Sequence, residues 1–250
     1  MFFADSNRQH ELYSEIIETK RKTSFFSCGY YERFDPFLLK NKPFIKPIYE
    51  DFFASLFTTK TGVLLDLGCG TCFYWPVLAG FCDMLYGIDY SQAMLNEAAK
   101  ILRNLPSKAF LSVGSSDLLP YGKATFDSVI AFDVLHHLPS CKGAMREIYR
   151  VLKPGGTFFS IEPNMANPMM LLAHTCPMEE RLAVARNWPR KMRKESLEYF
   201  DNAELSFYNI VISANSEKTI SVIRKINSAL NAIPLLKKLS FRFLLKCKKM

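Results

Sequence analysis

No apolar run in this chain of 250 residues approaches the ~20 that a membrane-crossing helix requires. Its opening stretch, MFFADSNRQHELYSE, turns polar and acidic at once, without the basic segment and apolar run of a secretory leader. These absences predict a soluble, cytoplasmic protein. Internal repeats and low-complexity linkers are absent as well. Cysteine offers no disulfide framework: seven thiols (Cys28, Cys69, Cys72, Cys82, Cys141, Cys176 and Cys247) are scattered in odd number, which predicts reduced side chains. Cys69 and Cys72 form C-x-x-C, but no second cysteine or histidine pair stands at zinc-finger spacing, so no metal site is expected.

What is present is enough for a large core. Apolar residues make up 49%, with 21 Phe and 11 Tyr, and the length suits one domain with an elaborated cap. The formal charge of +8 is uneven. Residues 1–60 carry nine Lys/Arg against eight Asp/Glu, residues 61–165 eight against nine, and residues 166–250 fifteen against seven. The basic excess belongs to the last third, which implies an anionic partner or surface away from the neutral centre.

From Val63 onward, short apolar runs alternate with helical patterns. Strands are expected over 63–68, 84–90, 109–116, 126–135 and 157–163, with helices over 91–102 and 140–152 between them. KPGG (153–156) should end the second helix. Such alternation predicts a doubly wound α/β fold: a mostly parallel sheet with helices on both faces. Further strands are expected at 205–213 and 240–248, with a helix over 216–231, which makes seven strands. Residues 1–60 read as an N-terminal helical cap and 61–250 as the main domain. A helical insertion at 164–204 is expected to lie over the ligand edge. Ligands of such sheets bind at the carboxyl ends of the strands. Here those ends are Gly68–Gly70, Asp89, Ser116–Asp117 and Phe132–Asp133.

The loop in VLLDLGCGTC narrows the ligand. A dinucleotide loop reads G-x-G-x-x-G, but Phe73 stands where the third glycine would permit the close helix–strand contact that presses the loop on a pyrophosphate. No Gly-Lys-Ser/Thr follows, which excludes a P-loop. Asp89, 19 residues after Gly70, is placed for ribose hydroxyls. A ligand with a ribose and no diphosphate is expected, and S-adenosylmethionine meets both conditions.

Four segments in order resemble the motifs of class I S-adenosylmethionine-dependent methyltransferases, of the small-molecule and ubiquinone-type subgroup: VLLDLGCGTC, LYGIDYSQAML, GSSDLLPYGKATFDSVIAFDVLHHL and EIYRVLKPGGTFFSIEPN. The resemblance spans about residues 60–165. One departure is Cys72, where the family usually has glycine. The resemblance implies a Rossmann-like methyltransferase fold. It also implies roles by position: Gly68 and Gly70 admit the methionine moiety, Asp66 orders its amino group through water, and Asp89 takes the ribose hydroxyls. By the same token Tyr90 lies beside the adenine, Asp117 and the Ser116 backbone bind its edge, and Phe132 lies near the methionine end.

No catalytic residue follows from the pattern. His136, His137 and Glu162 are placed at the right edge for a base, but each is better read as structural. The acceptor pocket is expected from CGYYERF (28–34) and the insertion, whose Arg186, Arg190, Lys191, Arg193 and Lys194 could grip an anion. Three readings stay open: a methyltransferase acting on a small-molecule or lipid- or sugar-linked acceptor, an RNA methyltransferase using the basic insertion, and a non-catalytic cofactor-binding protein. Nucleic acid is disfavoured because few aromatics accompany the basic cluster. The tail, with Lys and Arg interleaved with Ile and Leu, could lie on a membrane. It is expected instead to complete the sheet.

Overall fold

The computed structural model describes residues 34–138, 140–175, 188–208, 216–233 and 237–250, together with Glu15 and Ile17. CGYYERF and Arg186 therefore lie almost wholly outside the described residues. Seven strands form one sheet: β1 (Thr61–Leu67), β2 (Cys82–Asp89), β3 (Lys108–Val113), β4 (Phe126–Phe132), β5 (Leu152–Pro163), β6 (Asn202–Tyr208) and β7 (Arg242–Lys248). Their order is β3-β2-β1-β4-β5-β7-β6. The first five pair in parallel, and β7 enters antiparallel between β5 and β6. The order reverses between β1 and β4, which fixes the ligand edge at their carboxyl ends.

Eight helices are described: α1 (Leu38–Asn41), α2 (Lys46–Leu56), α3 (Trp75–Leu78), α4 (Gln92–Ala98), α5 (Lys142–Val151), α6 (Pro168–Thr175), α7 (Pro189–Ser196) and α8 (Glu217–Ala232). Ser91 caps α4, its hydroxyl accepting from the Met94 N–H. Central strands bury both faces. Leu64 and Ile130 join Phe53, Trp75 and Leu95 on one side, while Leu65 and Val129 join Ile148, Val151 and Met192 on the other.

Two expectations are corrected. KPGG does not separate a helix from the fifth strand. β5 already begins at Leu152, and Gly155, at φ 78°, turns within it while its N–H reaches the Lys249 carbonyl. Nor does the whole insertion cover the ligand edge. α7 packs on β6, β7 and α5, with Met192 in the core and Arg193 Nε donating to the Ala203 carbonyl. Its basic residues Arg190, Lys191, Arg193 and Lys194 thus belong to a helix on a sheet face.

Candidate functional site

β1 ends in a loop with three left-handed residues. Gly68 and Gly70 take φ of 68° and 53°, and Cys72 takes 58° without being glycine. A Cβ on Gly68 would stand 2.5 Å from Val134, so the loop presses directly on the segment after β4. A Cβ on Gly70 would meet nothing within 4 Å, which leaves an open cradle at the turn. Beside it, the Thr71 hydroxyl is buried and has no hydrogen-bond partner among the described residues.

Asp89 ties this loop to the start of α4. One carboxylate oxygen accepts from the Gly70 N–H at 2.9 Å and the other from the Ser91 N–H at 2.9 Å. Asp66 is fully buried beneath the loop. Its oxygens accept from the Tyr74 hydroxyl at 2.9 and 2.8 Å and from Trp75 Nε1 at 2.6 Å. Burial pushes its carboxyl up to about 7, against the pull of those two donors. The side chain, expected to order the methionine amino group through water, thus engages two protein donors directly. It anchors the loop through the first residues of α3. The pattern gave no sign of Tyr74 and Trp75 beyond two polar-tipped aromatics that need acceptors when buried.

Tyr90 follows Asp89 at the edge and is exposed on one side. Burial of the remainder, with the Asp89 charge, pushes its hydroxyl up to about 12. Ser116 is half-buried in a short turn bridged by Ser115 and Leu118. Asp117 faces the start of α5. Its Oδ1 lies 2.6 Å from where a Cβ on Gly143 would stand, and it accepts from the Ala144 N–H near Arg146. This places Asp117 against the first turn of α5, where a carboxylate suits the helix dipole.

Phe132 closes β4. Its ring packs at 5.5 Å from Tyr74 and 6.2 Å from Phe52, and the Arg242 guanidinium stands 5.2 Å above it. Arg242 also pairs with Asp133, whose φ is 59°. Next to that pair, Glu162 accepts from the Leu135 N–H at 2.9 Å, the Ser160 hydroxyl at 2.9 Å and His136 Nδ1 at 2.6 Å. Burial, with the Asp133 charge second, raises its carboxyl to about 7. Asp133, His136 and Glu162 bring possible metal-ligand atoms within 4.8 Å of one another. Each is already committed, and Arg242 supplies the cation. His136 and Glu162 are both buried and fix the loop after β4.

The structure thus gathers Asp66, Gly68, Gly70, Asp89 and Tyr90 at adjoining strand ends, with Phe132 joined to them through Tyr74. Residues 65–160, from β1 through most of β5, match the methyltransferase domain family. The chain carries a class I S-adenosylmethionine-dependent methyltransferase domain. The domain is similar to the sterol 24-C-methyltransferase of Schizosaccharomyces pombe, 31% identical over 159 residues, which cover 61% of this chain and 40% of that protein. It is also similar to the demethylmenaquinone methyltransferase of Lactobacillus johnsonii, 35% identical over 127 residues, or 48% of this chain and 52% of that one. The matched regions thus span about half or less of those relatives. In fold, the chain resembles a possible histamine N-methyltransferase from Thermotoga maritima, with a TM-score of 0.60 and 16% identity over 88% of this chain and 94% of that one.

The family's cofactor is S-adenosylmethionine, and the residues present fit it. The open Gly70 cradle and the unpartnered Thr71 hydroxyl offer space and a polar contact at the loop. Asp89, though engaged by two N–H groups, keeps lone pairs for ribose hydroxyls.

Proposed function

We propose that this chain transfers a methyl group from S-adenosylmethionine to a small-molecule acceptor of lipid-like character. The observation that carries the reading is the Gly70 turn, open at its Cβ position and tied by its N–H to Asp89. Bound there, the cofactor supplies an electrophilic methyl on its sulfonium. The chain's part is to hold the acceptor in line, since alignment at ~3–3.5 Å supplies much of the rate.

The far side of the edge is aromatic. Phe52 of α2 meets Phe132 at 6.2 Å and Tyr208, the last residue of β6, at 6.1 Å. That wall suits an apolar acceptor, in keeping with relatives named for sterol and demethylmenaquinone methylation.

Two experiments test the reading. The chain is incubated with methyl-labelled cofactor and a cell extract, and the products are separated into lipid, small-molecule and RNA fractions. Label in the organic phase is expected. Label confined to RNA, or cofactor binding without turnover, would overturn the acceptor class or the activity respectively. Asp89→Ala is expected to weaken cofactor binding in calorimetry by about 1.5–3 kcal/mol, the size of hydrogen bonds to a charged group. Unchanged affinity would remove Asp89 from the cofactor site.

A further inference from the structure

The helix α8 is amphipathic in an inverted sense. An ordinary surface helix turns its apolar stripe inward and its charges outward. Here Ile220 is buried and Asn227 and Leu230 are half-buried. Arg224, on the Ile220 side, pairs with Asp51 of α2 at 2.7 Å. Opposite Ile220, at helical spacing, stand Val222 and Ile226, followed just past the helix by Ile233, exposed by 56, 51 and 46%. Exposed Ala229 lies between them, and exposed Lys218 and Lys225 flank the stripe. Glu217, the single acid of α8, shares the side of Arg224, seven residues on.

The chain beyond α8 continues the pattern. Lys237, Lys238 and Leu239 are exposed. The carbonyls of Lys238 and Leu239 accept from the side chains of Asn164 and Asn167, just past β5. Those asparagines lead into α6, where Met169 and Leu172 are 66 and 52% exposed.

We propose that the outward face of α8 docks on an anionic phospholipid bilayer, with Val222, Ile226 and Ile233 in the headgroup boundary and Lys218 and Lys225 on the lipid phosphates. An apolar stripe edged by lysines and free of acids complements that surface on both counts. A second copy of the chain fits less well, because a two-fold contact along the stripe would bring the lysines of both copies together. Docking does not depend on the acceptor proposed above. It would, however, bring lipid toward the segment past β5, which borders the ligand edge.

The test is sedimentation of the full chain with phosphatidylcholine vesicles, with and without phosphatidylglycerol. Binding is expected only to the anionic vesicles and is expected to fall with added salt. Val222→Ser/Ile226→Ser/Ile233→Ser is expected to weaken binding about tenfold or more without lowering the melting temperature. Lys218→Glu/Lys225→Glu should do the same, since each lysine near such a surface is worth roughly fivefold. No binding to anionic vesicles, or equal binding by both variants, would overturn the proposal. So would a dimer in light scattering that the serine variant dissolves, which would assign the face to a second copy.

Discussion

At Cys72 the backbone and the side chain make opposite demands. Its φ of 58° lies where a side chain costs on the order of 1–2 kcal/mol, yet its thiol is fully buried. Glycine there would lose the buried sulfur but relieve the backbone. Cys82 is as deeply buried on an extended backbone, at φ −141°. Cys72→Gly is therefore expected to cost about 1–2 kcal/mol less than Cys82→Gly in urea unfolding. Equal costs would show that the loop holds no such strain. Asp66 makes a second case. Its folded pKa of about 7 lies above the ordinary 3.8, so between those values the folded chain keeps a proton that the unfolded chain has released. Stability from this group falls as pH rises through that window. Glu162 acts likewise from 4.5 to about 7. Asp127 and Glu147, lowered by Lys153 and Arg150 against the cost of burial, act oppositely: their contribution is present above the unfolded pKa and lost as pH falls through the folded one. Asp66→Asn is expected to flatten the decline between about pH 4 and 7, by on the order of a few kcal/mol in total. An unchanged slope in urea titrations across that range would mean that Asp66 does not hold the proton. Gly68, Gly70 and Asp89 were legible because they sit directly at strand ends. The contact of Asp117 with α5 was not, because it depends on where that helix begins.

Elements were legible where the pattern is local. Apolar runs placed β1, β2 and β4 to within a few residues, and Ser91 marked the start of α4. Bounds slipped where the partner decides. Lys153–Gly156 reads as a turn, yet its residues extend β5 because Gly155 and Gly156 exchange hydrogen bonds with Lys249. The sixth strand ends at Tyr208 among the described residues, and the rest of the expected 205–213 run lies outside them. The packing faces of α7 and α8 could not be read from helical spacing, since spacing defines a stripe without saying what it meets. Arg242 shows the same limit. In the sequence it is one of many basic residues near the end. In the fold it is the first residue of β7, buried between Asp133 and the Phe132 ring. Removing it would take away the buried guanidinium that pairs with Asp133 beside Glu162. Arg242→Ala is expected to cost about 3–5 kcal/mol in chemical unfolding, as when one partner of a buried pair is deleted. A loss below about 1 kcal/mol would show the pair to be solvated.

For the molecule as a whole, the question is whether the last third is an appendage or part of the core. Composition points to an appendage, because most of the net charge lies there. Topology points the other way. β7 is the last strand in the chain but stands between β5 and β6, and it pairs with both along its full length. Phe243, Leu245 and Cys247 are fully buried on one face, and Leu244 lies in the core of the other. Without β7, β6 loses its pairing partner and β5 becomes an exposed apolar edge, which favours association between chains. The apolar area uncovered would exceed what a marginally stable domain tolerates. A chain ending at residue 215 is therefore expected to be insoluble, while the full chain with all three α8 serines remains soluble because those positions are already exposed. Expression of both and measurement of the soluble fraction separates the two roles of the tail. A soluble truncated chain that still bound S-adenosylmethionine would mean that β1 to β5 suffice for folding, and that β7 only closes a sheet that can stand open.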